Sequence, residues 1–181
     1  MNTDNIYATP ASDVTVMTNE SDSKNLIQSL RSQSTWKLLF LSIITLGIYG
    51  AHYMRNQTKP LNKQLSDDQQ ISNGLVLSIL ILSYITVALI IPFFVVLDEN
   101  PQLDQLDQIS ANIDKVLSIL ILVWGFKARN RMNSLLSLSE GELRVSKDDM
   151  KWFHGFWTFL FQYFYFNYKV NKISEDDKIS N

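Results

Sequence analysis

The chain of 181 residues contains no cysteine, which excludes disulfides, thiolate metal sites and a cysteine nucleophile. It has two histidines, His52 and His154, and a net charge of only −2, so no broad basic field points to nucleic acid. No basic start and no apolar run precede Trp36, so a cleaved secretory signal is not expected and the first apolar segment reads as a retained anchor. A Gly-rich phosphate loop, a pair of carboxylates inside the apolar segments and a supportive Ser/His/Asp spacing are all missing. The expectation is therefore a protein that is not an enzyme, with no catalytic residues, no cofactor and no metal.

What is present is strongly segregated. A mean hydropathy of −0.02 suggests a soluble protein, but it averages over polar and apolar blocks. Residues 1–35 are rich in Asn, Asp, Ser and Thr and read as a disordered tail, with at most a helical turn over 25–30 before the first apolar block. Residues 74–97 are 24 consecutive uncharged positions, about 36 Å as a helix. Leu, Ile, Phe and Val fill 17 of those positions, which favours insertion into a bilayer by several kcal/mol. Pro92 predicts a kink near the end of that helix.

Three further segments accompany it. Residues 36–53 are apolar between Trp36 and Tyr53, with Gly47 and Ala51 spaced for close helix approach. The apolar run 116–126 is short, about 16 Å, and spans only by borrowing from 108–115, where Asn112, Asp114 and Lys115 lie; it is expected to continue past Lys127 into water. In 152–168, 11 of 17 residues are aromatic, a density that suits an interface as well as a core. The fold class expected is an all-α polytopic integral membrane helical bundle with about four transmembrane segments, 36–53, 74–97, 108–126 and 152–168, in a membrane domain over 36–172 followed by a tail at 173–181.

Charge sets an orientation. Loops 55–73 and 127–151 carry nine Lys and Arg, whereas 98–114 has none and holds Asp98, Glu99, Asp104, Asp107 and Asp114. The positive-inside rule puts the first two in the cytoplasm and the acidic loop outside. If 36–53 and 152–168 both span, both tails face outward. If either is re-entrant or in-plane, its tail stays inside.

The heptapeptide Val76–Leu82 recurs identically as Val116–Leu122, and Trp36 to Asn56 shares a frame with Trp152 to Asn171. The stretch Leu41-Ser-Ile-Ile-Thr-Leu-Gly-Ile-Tyr-Gly50 with His52-Tyr53, and the closing Phe164-Tyr-Phe-Asn-Tyr-Lys-Val-Asn171, resemble a bacterial family of small membrane proteins, the domain of unknown function 4234. His52 departs from its pattern, which more often has Trp there. The resemblance spans roughly 34–172. It implies a bacterial inner-membrane setting and brings no catalytic residues.

A few polar residues carry open alternatives. His52 and His154, expected at similar depth near the cytoplasmic interface, form either a proton- or metal-binding pair or two wetted interfacial rings. Asp114 and Lys115 mark either an ion path or a helix end. Gln162 and Asn167 line a polar cavity or hydrogen-bond between helices. Arg55, Lys127, Arg129 and Arg131 bind anionic headgroups or only set topology. The partners expected are the lipid bilayer and either a second copy or another membrane protein, without nucleic acid. The function expected is a helix-packing structural or interaction protein, with a small transporter or channel component and a lipid-binding protein at the cytoplasmic face as alternatives.

Overall fold

A computed structural model describes residues 20–95, 101–139 and 150–179. Asp98, Glu99, Arg144 and Lys147, and the tail before residue 20, lie outside the described residues. Every regular element among those described is helical: α1 (Glu20–Leu30), α2 (Thr35–Ile44), α3 (Ile48–Asn62), α4 (Asn73–Val95), α5 (Pro101–Ser139) and α6 (Gly155–Ile179), with a short 3-10 turn at Asp67–Gln69. Two of them, not four, are long and apolar enough to cross a membrane: the α4 region and α5.

The pair α4–α5 is antiparallel. Thr86 Oγ1 donates to Asp114 Oδ1 at 3.0 Å across it. Counting back along both helices, the start of α4 falls opposite Lys127, so residues 128–139 of α5 run beyond α4. We call that end the base and the other end the tip. At 39 residues, α5 is about 58 Å long.

The single helix expected over 36–53 is two helices. The chain Thr45-Leu46-Gly47 ends α2 in a Schellman motif: Gly47 N–H donates to Ser42 O at 2.7 Å and Leu46 N–H to Ile43 O at 3.1 Å. Leu46 (φ 49°) and Gly47 (φ 93°) take the left-handed conformation that the turn needs. Thr45 serves both helices. Its hydroxyl donates to Leu41 O at 2.8 Å and accepts from Tyr49 N–H at 2.9 Å, closing one helix and capping the next.

The turn reverses the chain. Near the start of α2, Thr35 lies against Asn167, whereas Ser42 near its end lies beside Tyr163. Helix α3 then runs back: Gly50 and Tyr53 meet Tyr163, Thr58 meets Trp124, and Asn62 meets Ile71 at the base. Helix α2 thus heads toward the tip, and α3 returns.

The aromatic segment behaves likewise. Gln162 (φ 45°, ψ −121°) breaks α6 into arms 155–161 and 163–179. In a straight helix, Gly155 and Tyr165 would be about 15 Å apart along the axis. Instead Tyr165 Oη accepts from His154 N–H at 3.1 Å, and Phe153 packs on Phe166 at 5.6 Å between centroids. The first arm heads toward the tip beside Gly125, and the second returns beside α3. Two helical hairpins, one from α2 and α3 and one within α6, therefore flank the long pair.

The base is a conventional small core. Leu26, Ile27 and Leu30 of α1 are buried with Leu61, Met132, Leu136, Val170 and Ile173. Residues 20–30, expected within a disordered tail, thus belong to the fold, because the stripe Leu26–Ile27–Leu30 has one helix face to cover and finds it. Trp124, fully buried, ties three elements together. Its indole N–H donates to Thr58 Oγ1 at 2.8 Å, and its ring meets Phe166 edge-on at 5.6 Å.

Gly47 was expected to serve helix packing together with Ala51. A Cβ at Gly47 would meet nothing within 4 Å, so its role is the turn. The close approach is at Gly50, where a Cβ would lie 2.6 Å from Tyr163 Oη. Gly50→Ala is expected to destabilise by about 1–3 kcal/mol through overpacking, read as a lower unfolding midpoint in detergent, and Tyr163→Leu in the same chain should recover part of the loss. Gly47→Ala should cost about 1–2 kcal/mol that no partner substitution recovers, because the strain is in its own backbone. Equal recovery of both by Tyr163→Leu would contradict these roles.

Candidate functional site

Each helix that heads toward the tip from the base starts just after a backbone segment gripped by an asparagine amide. Before α4, Asn62 donates through Nδ2 to Ile71 O and accepts from Ile71 N–H, both at 2.9 Å. Before α6, Asn133 donates to Phe153 O at 3.1 Å and accepts from Phe153 N–H at 2.9 Å. Before α2, Asn171 donates to Gln33 O at 3.0 Å and accepts from Ser32 N–H at 3.3 Å, while Asn167 donates to Gln33 O and Thr35 Oγ1 at 3.1 and 3.0 Å. An amide presents one donor and one acceptor side by side, so it pairs with an extended residue as a neighbouring strand would. Asn167 thus makes the interhelical bonds expected of it. Asn62 and Asn133 carried no signal of their own in the sequence, since a lone Asn in a polar stretch is commonplace.

At the second of these grips, on Phe153, a basic side chain adds a further bond. Arg129 Nε donates to Phe153 O at 2.7 Å, and its guanidinium lies 5.7 Å from the centroid of the Trp152 ring. Lys127 is exposed, Arg131 is half-buried, and Arg55 on α3 is exposed. Lys169, largely buried, donates to Met150 O.

The two histidines do not come together. His154 sits at the base beside Phe153, whereas His52 shares a hydrogen bond of 3.0 Å with Tyr84 Oη, 11 residues into α4. The separation along the bundle is about 20 Å, so the expectation of similar depth and the pair reading both fail. Among the described residues no group of three or more His, Asp or Glu is placed to hold a metal ion. Asp114 is not at a helix end either: it lies 13 residues inside α5 and accepts from Thr86, while Lys115 beside it is exposed. Gln162, expected to line a cavity or to bond between helices, is the reversal residue of α6.

Between α2 and α6 lies an open groove of about 690 Å³, lined by Thr35, Trp36, Leu39, Trp157, Phe161, Phe164, Tyr165 and Tyr168. Its walls are almost wholly apolar; the lining side chains that carry polar atoms are Thr35, Tyr165 and Tyr168 with their hydroxyls and Trp36 and Trp157 with their indole N–H groups. The sequence drew attention to the aromatics of 152–168 but not to their partner wall on α2, which only the two reversals bring opposite.

Fold and site together define an all-helical protein in which a long antiparallel pair carries two shorter hairpins closed at their base by side-chain amides. The chain belongs to the family described as Domain of unknown function (DUF4234), whose model matches residues 33–134, more than half of the 181. The match takes in the Thr45–Gly47 turn and Asn62 and Asn133, and ends before α6. No curated protein and no solved structure matches the chain.

Replacing Asn133 by Leu strands the buried N–H of Phe153 and leaves its carbonyl to Arg129 alone, and is expected to cost about 1–3 kcal/mol. Faster hydrogen exchange at the Phe153 amide, with the α4–α5 amides unchanged, is the expected readout. Asn133→Asp keeps the acceptor and should retain protection at that N–H; loss of protection equal to that of the Leu variant would count against the grip.

Proposed function

We propose that this protein is a multi-pass integral protein of a bacterial inner membrane, in which it serves as a helix-packing structural or interaction protein without turnover. In this reading α4 and α5 span, and the α2–α3 and α6 hairpins enter from the cytoplasmic face and return to it. Four full spans are replaced by two spans and two re-entrant hairpins.

The observation that carries the reading is where apolar side chains are exposed. Trp36, Phe40, Ile43 and Ile44 of α2, Phe156, Phe159 and Phe161 of α6, Leu77, Ile81 and Ile85 of α4 and Val116 and Ile119 of α5 all face outward. No large hydrophobic residue is exposed on α1, on α3 or on described α5 beyond Val123. Meanwhile the inward side of α4 buries Ser83 and Thr86. An apolar belt this continuous is far larger than a water-soluble monomer tolerates, and it stops where α5 leaves α4. Charge agrees: Arg55, Lys59, Lys63, Lys127, Arg129 and Arg131 lie toward the base, and Asp104 and Asp107 toward the tip.

The absence of native cysteine gives a direct test. Ser29→Cys and Glu175→Cys should both react with an impermeant maleimide only from the cytoplasmic side, and Asp104→Cys only from the other. Labelling of 29 or 175 from the side that labels 104 would sink the re-entrant arrangement. The Thr86–Asp114 bond across the paired helices, partway along α4 with Asp114 itself exposed, favours a second reading, a transporter or channel component, since ionisable groups at such depth mark ion paths. Liposome flux that Asp114→Asn abolishes would promote it over the first.

A further inference from the structure

The hydroxyls of the groove between α2 and α6 gather at one end. Thr35 is the first residue of α2, and Tyr165 and Tyr168 lie on the returning arm of α6, whereas Leu39, Phe161 and Phe164 lie deeper toward the tip. Two of the hydroxyls are already committed as acceptors: Thr35 Oγ1 receives Asn167 Nδ2–H at 3.0 Å, and Tyr165 Oη receives His154 N–H at 3.1 Å. Each therefore keeps its own proton to donate elsewhere. The donors are set by side chains locked at the base, so the polar end of the groove is arranged for an acceptor.

Charge points the same way. Lys172 follows Tyr168 by one helical turn on the returning arm, on the same stripe as Phe164, Tyr165 and Tyr168 and just beyond the groove's lining, and the Arg129 guanidinium is near enough to act electrostatically on the Tyr165 hydroxyl. A volume of about 690 Å³ lies in the range of about 300–1,000 Å³ that small-molecule sites occupy. An amphiphile with an anionic, acceptor-rich head and an apolar tail matches this order of groups.

We propose that the groove is a binding site for an anionic phospholipid, with the phosphate held by Thr35, Tyr165 and Lys172 and one acyl chain laid between Trp36, Leu39 and Phe161. The proposal rests on the membrane reading. It assigns the surface between the two hairpins a selective ligand in place of bulk solvent.

The test uses the full chain in phosphatidylcholine vesicles doped with a minor fraction of a lipid brominated on its acyl chains, either phosphatidylglycerol or phosphatidylcholine. Quenching is read as the difference between the native chain and Trp36→Phe/Trp157→Phe, both exposed positions whose loss disturbs no buried contact. Brominated phosphatidylglycerol should quench about fivefold more effectively than the choline lipid at equal fraction, the preference expected of one well-placed cation at a membrane surface. Lys172→Gln should remove most of that preference, and Tyr165→Phe part of it. Equal quenching by the two lipids overturns the proposal. Protection of both tryptophans from both lipids overturns it as well, in favour of a second copy filling the groove. Resistance of the vesicle-bound protein to alkaline extraction reports the membrane reading separately, so that its failure is not mistaken for failure of the lipid site.

Discussion

A chain that reverses direction among apolar surroundings must satisfy its own backbone. Each unpaired N–H or C=O there costs several kcal/mol, and no water is at hand to make up the difference. Most of this structure follows from how that demand is met at five places: two reversals and three entries. At residues 45–47 the Schellman bonds and the double role of the Thr45 hydroxyl close the turn without outside help. At the entries, Ile71, Phe153 and the Ser32–Gln33 pair lie outside the helices, and an asparagine amide bonds their backbone N–H and C=O groups.

The same constraint sorts the side chains. Because the grips hold the hairpin feet at the base, α2 and the first arm of α6 can turn nearly all their large residues outward while Leu38, Gly50 and Tyr163 take up the inner contacts. Trp124 then sits where α3, α5 and the returning arm of α6 converge, and its one polar atom finds Thr58. Beyond that level the rules of packing invert to those of a water-soluble domain: α1 covers its apolar stripe and leaves Asn25, Gln28 and Ser29 in contact with solvent.

The helical class, the long apolar helix at 74–95 and the continuation of α5 past Lys127 were all legible, because each is written in composition over many residues. The reversals were not. Gly47 is equally at home in a packing pair and in a turn, and Leu46 is a residue that nothing local recommends for positive φ. Gln162 is neither Gly nor Pro, so 152–168 reads as one aromatic helix until Phe153 is seen against Phe166. The segment at 20–30 was hidden by its polar surroundings, since three apolar residues do not outweigh eight polar ones in an average. The grips pair residues 9 to 139 positions apart, beyond the reach of any local pattern. The motif that carries the family resemblance, Thr45 to Tyr49, proves to be the first reversal itself, and this gives the likeness a physical content.

The reversal at Gln162 also bears on how such a protein is made. On the proposed topology, with both hairpins returning to the side they came from, the stretch from Val95 through Asp107 would be the sole one carried across the bilayer, and it bears no lysine or arginine to resist passage. The hairpins, the amide grips and the α1 core could then be assembled from the cytoplasmic side after that single transfer. Biogenesis would separate into one act of insertion and a folding reaction that resembles the docking of a soluble domain.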